Sequence, residues 1–168
     1  MTESKSELPV RSAGARKRAR LTAEIRRQTG IDEAMIERLV RRFYARAGAD
    51  DLLGPIFAAH VADWEAHIAR MCAFWSSVAL MTGHYHGQPM QAHMPLALAP
   101  EHFDRWLGLF EETARETCPP EAAAHFIDRA RRIADSLEMG VVANRGDIPA
   151  RRHSSAVVRP HRTHGGGA

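Results

Sequence analysis

Apolar residues recur at helical rather than strand spacing through most of the chain. Beyond Asp32, the residues Ile36, Leu39, Val40, Phe43 and Ala47 share one helix face, and Asp32 stands where a side-chain N-cap is wanted. Gly48 is expected to stop that helix, and the segment ADDLLGPIF, with Gly54-Pro55, to form a turn. A second stripe opens near Asp63 and aligns Trp64, His67, Ile68, Met71, Trp75 and Val78. A third follows Pro100 and turns Phe103, Trp106, Leu107 and Phe110 inward. After Pro119-Pro120 a fourth carries Ala123, Phe126, Ile127, Ala130, Ile133, Ala134 and Leu137, with Gly140 placed to end it. A short helix is expected over Leu21–Thr29, ended by Gly30. The stretch TGHYHGQPMQAHMPLALAP is too rich in Gly, Pro and His to be a long helix. No strand-like alternation of useful length and no internal repeat is present, so the pattern predicts an all-α domain.

Charge divides the chain into three parts. Residues 1–29 carry a net +5, residues 30–140 a net −6 and residues 141–168 a net +4. The two ends hold few large apolar residues and are expected to be disordered arms, 1–20 and 143–168, around one domain at 21–142. Neither arm interleaves aromatics with its charge or carries a DNA-binding motif, so nucleic acid is not an expected partner. No apolar run approaches the roughly 20 residues of a membrane span. The first twenty residues lack the apolar stretch of a secretory leader. Cys72 and Cys118 fall on separate helical stripes. Free thiols in a reducing cytoplasm are the expectation, with no disulfide framework and no Cys-type zinc site.

The usual catalytic signatures are missing: GxGxxG, the P-loop, GxSxG, HExxH, CxxC and the paired Glu-x-x-His of di-iron bundles. Of ten histidines, two are informative. His67 sits on the apolar stripe between Trp64 and Met71, and His93 precedes Met94-Pro95, where proline halts helix propagation. Each alone also reads as an ordinary core or surface histidine. Tyr44 and Trp106 lie on inner faces, where a buried hydroxyl or indole N–H needs a partner. Together the four residues are coherent with one imidazole holding a haem iron while Tyr and Trp donors face a diatomic ligand. They do not demand it.

The stretches RRFYARAGADDLLGPIF, WEAHIARMCAFWSSVAL, GHYHGQPMQAHMPL and EHFDRWLGLFEET narrow the choice. In that order they resemble the truncated haemoglobins, most closely the third group, from about Ile31 to Met139. The glycine-pair motifs of the first two groups are absent. The resemblance implies a shortened globin-like fold, a 2-over-2 helical sandwich, around haem b. It implies that His93 is the proximal iron ligand, Tyr44 the distal tyrosine, Trp106 the distal-side tryptophan and His67 a distal histidine found in some members. Phe43, Ile68, Met71, Phe74, Phe103, Leu107 and Phe110 then become candidates for the pocket wall. The two basic arms have no counterpart in the family core.

The resemblance implies O2, NO and CO as ligands. It also suggests a redox role such as nitric oxide dioxygenation or peroxidase-like chemistry, served by an electron-donating reductase. A gas sensor whose arms read out ligand state, and a haem-free helical interaction protein, are the rivals. A Soret band separates the last from every haem reading.

Overall fold

The computed structural model describes residues 13–146. Seven helices account for most of them: α1 (Ala13–Thr29), α2 (Glu33–Gly48), α3 (Gly54–His60), α4 (Trp64–Leu80), α5 (Pro89–His93), α6 (Pro100–Thr117) and α7 (Pro120–Asn144). No strand occurs among the described residues. None of these helices is long and apolar enough to cross a membrane.

Local signals set the main helix starts. Asp32 accepts a hydrogen bond from the Met35 amide at 2.7 Å, and Asp63 accepts one from Ala66 at 3.0 Å. Each supplies an acceptor for an N–H that the first helical turn leaves unsatisfied. Between α2 and α3, Asp50 Oδ1 accepts from the amides of Leu52 and Leu53, both at 3.0 Å, which makes the expected turn. Its other oxygen pairs with Arg105 at 2.6 Å. The chain then re-enters a helix rather than staying irregular through Phe57. A β-carbon on Gly54 would lie 2.7 Å from the Gly48 carbonyl oxygen, so this corner closes only with glycine at position 54.

Two boundaries differ from the sequence expectation. α1 begins at Ala13, eight residues before Leu21, because the run AGARKRAR is built largely of strong helix formers that need no burial to extend a helix. α7 runs through Gly140 to Asn144. The rest of the two expected arms, residues 1–12 and 147–168, lies outside the described residues.

The helices pack as two pairs, α2 with α4 and α6 with α7, joined across the middle by α2 on α6 and α4 on α7. At the crossing, Phe110 is stacked between Trp75 (centroids 4.6 Å, planes 15°) and Trp106 (5.4 Å, 11°). Phe43 meets Phe110 and Trp106 edge-on at 5.4 and 5.5 Å. Phe43, Phe110 and Phe126 are fully buried. Burying each such ring contributes roughly 1.5–3 kcal/mol. The C-terminal end of α4 is tied from two sides: Thr22 of α1 donates to the Leu80 carbonyl at 2.6 Å, and His125 of α7 donates Nε2–H to the Ala79 carbonyl at 2.8 Å.

Candidate functional site

Where the two pairs diverge, a cavity of about 410 Å³ opens between α2, α3, α4, α5, α6 and α7. That volume lies within the roughly 300–1,000 Å³ usual for small-molecule sites. Its wall brings together Tyr44 from α2, His67 from α4, His93 from α5 and Trp106 from α6. Four residues scattered over 63 positions of chain thus face one space, and most of the remaining lining is apolar.

His93 closes the five-residue helix α5. Its Nδ1 lies 2.7 Å from the carbonyl oxygen of Pro89. A carbonyl only accepts, so Nδ1 carries the proton and Nε2 keeps its lone pair free as a ligand atom. His102, also on the wall, is in the opposite state. Its Nδ1 accepts the Ala99 amide N–H at 2.9 Å at the start of α6, which puts the ring proton on Nε2. Of these two imidazoles, only His93 presents a bare Nε2.

Opposing polar groups are neutral. His67 Nε2 is buried and has no hydrogen-bond partner, alone in this among the side-chain atoms of the described residues. Burial first, then the charge of Arg70, pushes the His67 ring below the ordinary histidine value, so it stays uncharged near neutrality. Burial, with a smaller contribution from Cys72, raises the Tyr44 phenol well above the ordinary tyrosine value. Tyr44 therefore remains an O–H donor at any physiological pH.

The expected wall residues divide. Met71, Phe74 and Phe103 line the cavity. Phe43 and Phe110 lie in the core behind Trp106, and Leu107 packs against that core. Ile68 lines an open groove on the outer side of Tyr44, with Trp64 and Arg41. The wall also takes residues that sequence reading missed: Leu53, Ile56 and Phe57 at α3, Arg70, Tyr85, Leu98, His102, and Ile133, Ala134 and Leu137 of α7. The three α7 residues were on a visible stripe, and Arg70 stands one turn after His67. The α3 residues sit in a stretch that read as a turn, and Tyr85 in a loop without periodicity, so neither gave a signal.

Among the described residues, no three His, Cys, Asp or Glu side chains gather as a metal cage. A metal held at His93 must bring most of its ligands with it. A planar macrocycle in an apolar slot meets that requirement, with bare Nε2 on one side and the orphaned His67 Nε2 in the same cavity. The residues present fit a haem.

Residues 27–138 match the Bacterial-like globin family. A curated relative, "Group 3 truncated hemoglobin ctb" of Campylobacter jejuni, is 34% identical over 113 residues, covering 64% of this chain and 89% of the relative. The crystal structure of the group III truncated hemoglobin from Campylobacter jejuni superposes with a TM-score of 0.60 at 32% identity, covering 64% of this chain and 89% of that one. The structural match accords with the all-helical fold described above. The chain belongs to the bacterial-like globins, haem- and gas-binding proteins, as a truncated haemoglobin of the third group.

Proposed function

We propose that the cavity holds haem b, with His93 Nε2 as the protein ligand to iron, and that the chain binds O2, NO and CO beneath Tyr44, His67 and Trp106. The observation that carries this reading is the 2.7 Å bond from His93 Nδ1–H to the Pro89 carbonyl. It fixes the tautomer and orientation of the ring, and a hydrogen-bonded N–H on the far side makes Nε2 a stronger donor to a metal. Bound haem supplies an iron that takes up diatomic gases and exchanges single electrons.

The chain's own residues then decide which ligands stay. Tyr44 O–H and the Trp106 indole N–H are donors in an enclosed, largely apolar space, where a hydrogen bond is stronger than in water. They favour a ligand on which negative charge accumulates. Phe57 packs on Tyr44 and Trp64 on His67, which holds the two polar groups in place. Strong retention suits chemistry on the bound gas better than delivery of it.

The finer reading is nitric oxide detoxification. Nitric oxide and O2 combine with one electron to give nitrate, so turnover requires an electron-donating reductase. The unpaired thiols Cys72 and Cys118 accord with work in a reducing cytoplasm. The test is to mix the reduced, O2-equilibrated protein with nitric oxide in a stopped-flow cell. Fast conversion with one nitrate per haem is expected. Slow or substoichiometric nitrate would remove the detoxifying role, and absence of a Soret band would remove haem itself.

A further inference from the structure

The helix that carries His93 is short of anchors. α5 has five residues, no side-chain N-cap bond and no buried residue. Among the described helices it packs against α7 alone. The His93–Pro89 bond fixes the ring on α5, but it does nothing to fix α5 on the body of the protein.

One contact does. Met90 lies over Gly140 so closely that a β-carbon at position 140 would overlap both Sδ and Cε of Met90, with Cγ 3.7 Å away. Gly140 is inside α7, which continues to Asn144. Its φ is not among the positive values that require glycine, and glycine is among the least favourable residues in a helix interior. The missing β-carbon leaves a notch in α7 that the end of the Met90 side chain occupies. Met90 and His93 are three residues apart, the spacing that sets two side chains on one helix face. A shift of one along or around the helix therefore carries the other with it.

We propose that Met90 seated in the Gly140 notch of α7 is the positioning device for His93, setting the approach of its Nε2 to the haem iron. This rests on the haem reading above. Neither residue touches the iron, so both are positioning residues.

The test uses the full-length, haem-loaded protein and four variants. Gly140→Val fills the notch, and Met90→Ala empties it. The double variant adds at 140 as many heavy atoms as it removes at 90, and Met90→Leu keeps the bulk. The readouts are the iron–histidine stretching band in the resonance Raman spectrum of the reduced protein and the rate of haem transfer to a scavenging apoglobin. Gly140→Val and Met90→Ala should each shift the band and speed haem loss by about ten- to hundred-fold, the range for groups that orient a metal ligand. The double variant and Met90→Leu should return most of the way to wild type. An unmoved band in both single variants overturns the proposal, as does a Met90→Leu shift as large as that of Met90→Ala. A wild-type protein that takes up no haem would instead sink the reading beneath it.

Discussion

The ring of His67 stands edge-on to the ring of Tyr44, with centroids 4.8 Å apart and planes at 89°. The two come from different helices, α4 and α2, and neighbours hold both. Phe57 meets Tyr44 at 5.6 Å, and Trp64 meets His67 at 5.8 Å. Four rings thus determine one another's places at the polar end of the cavity. What they leave unsatisfied is a single nitrogen, His67 Nε2. A buried polar atom without a partner is costly, and a site that tolerates one is ready for a ligand that would satisfy it.

His93→Ala removes the only ring in the site whose bare Nε2 is fixed by a backbone bond. The variant is expected to lose its haem on gel filtration, with free imidazole restoring part of the Soret absorbance. Haem retained at wild-type strength without added imidazole would shift the ligand elsewhere.

Tyr44→Phe keeps the ring cage and deletes one donor. A hydrogen bond contributes about 0.5–1.5 kcal/mol, so O2 dissociation should quicken by about two- to ten-fold. Stopped-flow displacement with CO measures it, and an unchanged rate would mean that the phenol does not reach the ligand.

His67→Leu removes the orphaned nitrogen. The haem-free chain should gain about 1 kcal/mol in urea unfolding, the low end of the cost of an unsatisfied polar group, since the ring is only half-buried. The pH dependence should also weaken. The folded-state value of His67 lies below its ordinary 6.5, so the unfolded chain takes up the proton first as pH falls. Stability present above about pH 6.5 is therefore lost as pH drops through the folded value, and the variant should lose less of it. His125, lowered mainly by burial, supplies a slope that remains.

Met81→Gly addresses strain at the end of α4. Met81 adopts a left-handed backbone, φ 61°, and its side chain is largely exposed. That conformation costs a residue with a β-carbon about 1–2 kcal/mol and glycine little. A gain of about 1 kcal/mol in thermal or denaturant unfolding is expected. A loss would show that the Met81 side chain contributes packing that its exposure conceals.

Much of this architecture was legible because helix periodicity and capping are local. Asp32 and Asp63 announced their helices in their side chains, and the stripes of α2, α4, α6 and α7 named most of the core. The cavity wall was less legible, for a geometric reason. A stripe shows that a residue faces inward, not whether it meets a neighbouring ring or an empty space. Phe110 shares a stripe with Trp106 and Phe43 stands next to Tyr44, yet both phenylalanines fill the centre of the sandwich while their neighbours reach the cavity. Gly140 misled for a related reason. Glycine at a helix end and glycine under a methionine look alike until the second helix is in place.

The two hydrogen bonds from Thr22 and His125 to the last turn of α4 settle how that helix can move. A rod held by hydrogen bonds at one tip moves most at the other, and here the other tip, which begins at Trp64 and carries His67, is held to α2 and α3 by ring contacts and an exposed ion pair. Fluctuations that admit or release a gas should therefore concentrate in the first turn of α4. Amide exchange should quicken from Leu80 toward Ala66, so the lid of this pocket is hinged at the end remote from it.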